Sequence, residues 1–174
     1  MTGSNGTIYT FGYGGRQVET LAALVALHQA VVIDVRLKPW TKQPGWSLSE
    51  LKTVFADCYH WVQALGNTNF EKGGKVRLKD EQTGIEGLVK MIRAGESPIL
   101  LCGERDPSGC HRTVIANLVA KLTDAQVIHL PLPLAGRTEP ADEQLGLFSW
   151  ARPGHKLPQS DTIRPKRTQK RPKK

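Results

Sequence analysis

The densest collection of reactive side chains in the 174-residue sequence is Leu101-Cys102-Gly103-Glu104-Arg105-Asp106-Pro107-Ser108-Gly109-Cys110-His111-Arg112. Glu104 is a candidate general acid/base, or a stabiliser of an oxocarbenium-like centre. His111 is placed to donate or shuttle a proton. Asp106 or Ser108 can cap a following helix, with Pro107 in its first turn. The amides exposed at that helix start favour an anion, and Arg112 adds a bidentate contact. A thiol at the same place is expected to have a lowered pKa, which makes Cys110 a candidate nucleophile. A cysteine-phosphatase loop is absent, because the sixth residue after Cys102 is Ser108 and Arg112 follows Cys110 by only two places. Cys102, Cys110 and His111 supply three metal ligands without a visible fourth, and Cys58 is expected at the opposite sheet edge. The sequence therefore leads us to expect neither a metal nor another cofactor.

Such residues need a frame, and the flanking segments supply one. Short apolar runs at Thr7–Phe11, Val31–Val35, Tyr59–Val62, Pro98–Cys102 and Val127–Leu130 read as strands. Helical spacing occupies Val18–Gln29, Ile85–Arg93 and Ser108–Leu122, and Ser47, Ser49 and Glu50 start a fourth helix. Strands alternating with helices predict an α/β fold, with a largely parallel sheet of about five strands flanked by helices in a three-layer sandwich. The expected boundaries are a flexible N-terminus over 1–6, the α/β domain over 7–150 and a disordered basic tail over 151–174. Residues 135–150 read as a packing extension of the domain, carrying Leu145, Leu147, Phe148 and Trp150.

Ligands of such sheets bind outside the carboxyl ends of the strands. Gly12, Tyr13 and Gly14 follow the first strand, Asp34, Arg36 and Lys38 end the second, and Asn67 and Asn69 follow the third. Cys102 and Glu104 follow the fourth, so four segments converge on one edge. Asp34, ending an otherwise apolar strand, reads as catalytic beside Glu104, Cys110 and His111; an ion pair with Arg36 is its simpler explanation. Gly12, Tyr13, Arg36, Lys38 and Arg112 read as substrate or phosphate contacts.

The net charge of +8 is unevenly distributed. From Ala151 to Lys174, nine Lys/Arg face one acid, Asp161, so the tail carries the whole excess and the body is neutral. Arg164, Lys166, Arg167, Lys170 and Arg171 form its densest part and suit a DNA or RNA backbone. The longest apolar stretch, Leu21–Val35, is interrupted by His28, Gln29 and Asp34, which argues against a membrane partner. Three cysteines make no disulfide framework, and the N-terminus has no secretory pattern, so a reduced cytoplasmic protein is expected. The oligomeric state is not legible.

The pieces Tyr9–Tyr13, Ile33–Arg36 with Pro39, Tyr59 through Asn67, Leu101–Glu104 with Asp106-Pro107 and Cys110–Arg112, and Val127–Leu130 occur together in one order. In this the chain resembles the domain of unknown function 488 family, over about residues 7–133. The resemblance implies an enzyme near nucleotide or nucleic-acid processing, of the base-releasing or glycosyl-transferring kind. The family often has a Ser-Arg pair after the aspartate-arginine strand, where this chain reads Lys38-Pro39-Trp40-Thr41-Lys42. Lys38 and Lys42 can replace the positive charge, while Trp40 and Trp46 can stack on a base.

The leading expectation is an enzyme acting on nucleic acid or a nucleotide, by glycosidic-bond cleavage or base release, with the tail gripping the phosphate backbone. A phosphate-ligand or nucleic-acid binding module without turnover is the alternative, and a thiol-dependent enzyme the third. The tail makes its own prediction. Full-length protein should bind DNA and RNA without sequence preference, losing affinity with salt by a log–log slope of about −0.9 per phosphate neutralised on duplex DNA. Fluorescence anisotropy should show that binding lost on deletion of residues 152–174. Equal binding by the truncated chain contradicts the assignment.

Overall fold

In the computed structural model, which describes residues 6–130, five strands form one fully parallel sheet with four α-helices. The order along the chain is β1 (Thr7–Gly12), α1 (Val18–His28), β2 (Val31–Asp34), α2 (Leu48–Phe55), β3 (Tyr59–Trp61), α3 (Glu81–Arg93), β4 (Pro98–Cys102), α4 (His111–Thr123) and β5 (Gln126–Leu130). Across the sheet the strands run β3-β2-β4-β1-β5. The expected packing extension over 135–150 and the basic tail lie outside the described residues, as do residues 1–5 of the expected N-terminal segment. No helix among the described residues is long and apolar enough to cross a membrane.

Alternation along the central strands divides the core into two layers. Ile8, Ile33, Leu100 and Cys102 pack with α3 and α4 through Leu88, Ile92, Ile115 and Val119. Phe11, Val32, Ile99 and Leu101 face α1, α2 and the loop before α2, against Leu21, Leu51, Phe55 and Trp46. Every residue of β4 is buried, as expected of a strand covered on both faces. The result is the three-layer sandwich that the alternation of elements predicts.

Local chemistry explains the element ends. Ser47 and Glu50 form a reciprocal capping box that starts α2, as their spacing predicts. Asp80 caps α3 by accepting the Thr83 amide at 3.2 Å, so that helix begins four residues before the expected Ile85. The start of α4 departs the other way. Asp106 accepts the Ser108 amide at 2.7 Å in a local turn, and Gly109 takes φ 74°, so the helix opens at His111 with Cys110 as N-cap.

The order of strands builds a crevice. β1 lies next to β4, yet it connects to β2 through α1 on one face, while β4 connects to β5 through α4 on the other. Adjacent strands whose connections leave in opposite directions open a space outside their carboxyl ends. The loop after β4 folds back over that space and touches β1. The Tyr13 amide donates to the Cys102 carbonyl and Gly14 to Gly103, both at 3.0 Å. A Cβ on Gly12 would lie 1.9 Å from the Glu104 carbonyl oxygen, so only glycine permits this approach. Gly12 is therefore a packing residue, not the ligand contact that its place in a glycine cluster predicts. Gly12→Ala should destabilise the domain by roughly 1–3 kcal/mol in urea unfolding, as overpacking does in a close-packed core. Unchanged unfolding would mean that the loop is free to move away.

Candidate functional site

A cavity of about 480 Å³ lies outside the carboxyl ends of β2 and β4, bordered by the loops after β1, β2, β3 and β4. Its size falls in the range of small-ligand sites. Cys102, Glu104 and His111 form its inner surface. Trp40 and Phe70, exposed by 76% and 65%, border it from two different loops. Lys38, Glu71 and Lys72 add charge at the exposed edge.

Two structures hold those loops in place. Residues 66–80 fold back on themselves: Thr68 donates to the Arg77 carbonyl at 2.8 Å, and Lys79 to that of Gly66 at 3.0 Å. Asn67 Oδ1 accepts the amides of Asn69 and Arg77, which fixes the turn that carries Phe70, Glu71 and Lys72. The loop after β2 is held by Trp61 Nε1 donating to the Arg36 carbonyl at 2.9 Å and by Gln63 donating to that of Leu37. Leu37 lies so close to Gly66 that a Cβ there would meet its Cα at 2.4 Å.

The reactive cluster comes from one stretch of chain. Cys102 is the last residue of β4, Glu104 lies in the loop, Cys110 is the N-cap of α4 and His111 its first residue. One ligand atom from each lies within 4.8 Å of the others. Both thiols donate to Glu104 Oε2, Cys102 at 3.2 Å and Cys110 at 2.5 Å. His111 Nδ1 is 3.6 Å from Cys102 Sγ. Its Nε2 is 2.9 Å from the Val35 carbonyl oxygen, and a carbonyl only accepts, so Nε2 carries the hydrogen.

The electrostatics of Cys110 reverse the sequence expectation. The thiol bond with Cys102 and burial push its pKa well up, despite the helix start and His111, and the bond to Glu104 adds to the rise. The neighbouring thiol and burial thus oppose the activation that a helix start would give Cys110. For His111, burial favours the neutral ring. The Cys110 bond, the Val35 carbonyl and the charges of Cys110 and Glu104 offset this and leave its pKa raised.

Three other candidates have structural roles that the sequence did not separate from catalysis or binding. Asp34 is 0% exposed and does not border the cavity. Its Oδ2 accepts from Arg36 Nη2 at 2.5 Å and from the Tyr59 hydroxyl at 2.6 Å, and Oδ1 accepts Arg36 Nε at 2.8 Å. With both oxygens engaged in the interior, it is the carboxylate of a buried ion pair and not a catalytic base. Burial and the Asp34 charge push the Tyr59 phenol well up. Arg36 borders the cavity, but it also donates to the Trp46 carbonyl at 2.9 Å and the Tyr13 hydroxyl at 3.3 Å. Those bonds and the two to Asp34 occupy four of its five N–H groups. Arg112, 1% exposed, directs Nη1 at the Glu104 carbonyl and Nη2 at that of Arg105, and Nη1 also donates to Cys110 Sγ at 3.0 Å. It closes the loop instead of meeting a ligand phosphate.

Of the remaining expectations, the structure brings Tyr13, Lys38, Glu104 and His111 to the cavity, together with Trp40. Trp46 is fully buried, stacked on Tyr13 with ring centroids 4.7 Å apart, and cannot stack on a base. Lys42 is exposed but does not border the cavity. Phe70, Glu71 and Lys72 were missed. The available signal was a lone aromatic in a polar run ending at Gly73-Gly74, where no apolar face exists to bury it. The tail residues Arg164, Lys166, Arg167, Lys170 and Arg171 lie outside the described residues.

Asp34→Asn tests the ion-pair role. Removing one partner of a buried pair costs about 3–5 kcal/mol, and the loss should appear in urea unfolding. A variant of unchanged stability contradicts it.

No curated protein and no solved structure matches the chain. A family model does, the domain of unknown function DUF488, over residues 18–119. That match spans α1 through most of α4 and takes in Cys102, Glu104, Cys110 and His111. The chain belongs to the DUF488 family.

Proposed function

We propose that the protein is an enzyme acting on a nucleotide or on a base of single-stranded nucleic acid. One observation carries this reading: two exposed aromatic side chains, Trp40 and Phe70, border a cavity that has lysines at its edge and Glu104 and His111 at its inner surface. A flat, uncharged ring stacks on exposed aromatics, and every base offers such a face. Lys38 and Lys72 supply charge for an attached phosphate. Glu104 and His111 are the groups able to move a proton at the far side of the ring.

The reaction favoured is hydrolytic release at the base, with cleavage of the glycosidic bond as its leading form. The attacking water joins the sugar carbon, the bond to the base nitrogen breaks, and the proton lost by the water balances the one the departing base gains. Glu104 is the residue we assign to that transfer. Asp34 is excluded as its partner by burial, and Glu71, at the cavity edge, is the second carboxylate within the site. A module that only held phosphate would rely on Arg36 and Arg112, whose guanidinium groups are largely committed to the protein itself. The basic tail would hold the backbone of a polymeric substrate while the cavity takes one base.

Incubation with single-stranded and duplex DNA, normal and base-modified, and with free nucleotides, should yield free base detected by chromatography. Glu104→Gln should lower kcat by about 10²–10⁴-fold, the usual contribution of a positioned proton-transfer group. Trp40→Ala should weaken binding by roughly 1–3 kcal/mol, seen in KM. No product from any of these substrates, or turnover indifferent to Glu104→Gln, contradicts the proposal.

A further inference from the structure

The tight grouping of Cys102, Glu104, Cys110 and His111 needs an explanation that proton transfer does not supply. Proton transfer uses a carboxylate and an imidazole; it has no need of two thiols directed at the same carboxylate oxygen. We propose that these four side chains bind one divalent transition-metal ion of the zinc class at the inner surface of the cavity.

The donor set suits such an ion. Two soft thiolates, a borderline imidazole and a hard carboxylate are all ligands that zinc accepts, and four donors match its tetrahedral preference. Two donors sharing a tetrahedral zinc ion sit about 3.4–3.8 Å apart, given metal–ligand bonds of about 2.0–2.3 Å. Cys102 Sγ and His111 Nδ1 are already 3.6 Å apart, within that range, while Cys102 Sγ and Glu104 Oε2, at 3.2 Å, must separate by a few tenths of an ångström. The Cys110–Glu104 pair, at 2.5 Å, must open by about 1 Å when an ion replaces the thiol proton between them.

Two contacts outside the cluster are those a metal site uses. His111 holds its Nε2 hydrogen against the Val35 carbonyl, which leaves the lone pair of the neutral ring on Nδ1, the nitrogen that faces Cys102. A backbone carbonyl on the far nitrogen is the usual device for orienting a histidine ligand. Arg112 places Nη1 3.0 Å from Cys110 Sγ, where an N–H group stabilises a thiolate. Cys58 is partly exposed and is not in the cluster, so it serves as an internal control.

Loading the ion releases the two thiol protons, and the two thiolates neutralise its charge. Cys110 and His111 are buried at the start of α4 and Cys102 at the end of β4, so these three are the fixed donors. Glu104 is only partly buried, borders the cavity and is the donor that water can displace. A water in that position would lose its proton more readily than bulk water, with the freed Glu104 carboxylate as acceptor. This last step rests on the hydrolytic reading above, whereas the binding of metal does not.

The test uses the full-length chain, purified reduced, stripped with a chelator and titrated with Zn²⁺ and with Co²⁺. The expected result is one equivalent bound per chain, with a thiolate-to-cobalt charge-transfer band and the intense visible bands of tetrahedral cobalt. Zn²⁺ should also raise the melting temperature. Cys58→Ser should keep all of this, while Cys110→Ser and His111→Ala should lose the equivalent and the shift in melting. Absence of stoichiometric binding by the native sequence, or equal loss in Cys58→Ser, overturns the proposal. Metal binding without base release would contradict the proposed reaction and leave the metal site standing.

Discussion

A buried guanidinium holds the site together. Arg112 sits in the first turn of α4 and donates to the carbonyls of Glu104 and Arg105, which would otherwise be groups of an open loop. The chain leaves the sheet at Cys102 and enters the helix at His111, and the fork of Arg112 draws the intervening residues back over β1. Gly12 makes room for them, since any side chain there would occupy the position of the Glu104 carbonyl. Without that closure, Glu104 has no reason to point at Cys102 and Cys110. The guanidinium thus spends its hydrogen bonds on the loop, and the reactive groups are the consequence.

A second buried cation does the same for the neighbouring strand. Arg36, tied to Asp34 and stacked against Tyr13, locks the end of β2 to the loop that carries Trp46. Desolvating a charged pair is costly, and the Tyr59 hydroxyl and the backbone bonds offset that cost by satisfying the remaining groups. The cavity thereby has two kinds of wall. Its inner surface belongs to the core and is fixed by the Asp34–Arg36 pair, the Arg112 hydrogen bonds and close packing, whereas its outer edge is made of loop residues with exposed aromatics and lysines. A buried, close-packed floor beneath a rim of exposed loop side chains is the usual arrangement of sites built on α/β sheets.

The architecture was legible because strands buried on both faces read as continuous apolar runs, and Ser47 with Glu50 is a local signal complete in itself. The start of α4 was misplaced because Asp106-Pro107-Ser108 has the composition of a cap while its actual bond closes a tighter turn. Asp34 shows a different limit. An aspartate ending an apolar strand looks the same whether it serves catalysis or an ion pair, and the deciding partner, Tyr59, lies 25 residues further on. Trp40 and Trp46 are six residues apart and chemically identical, yet one is exposed and the other fully buried. The fourth member of the donor cluster was hidden for the same reason: Glu104 stands between the cysteines in sequence, and only the folded-back loop turns its carboxylate towards them.

Ligand binding in this cavity is what every role assigned to its residues depends on. Amide chemical-shift mapping of the isotope-labelled full-length protein, titrated with a nucleoside monophosphate, addresses that directly. The account predicts shifts concentrated at Lys38, Trp40, Asn67–Lys72, Gly103, Glu104 and His111. Shifts confined to the basic tail, to another face of the sheet, or none at saturating nucleotide would contradict it.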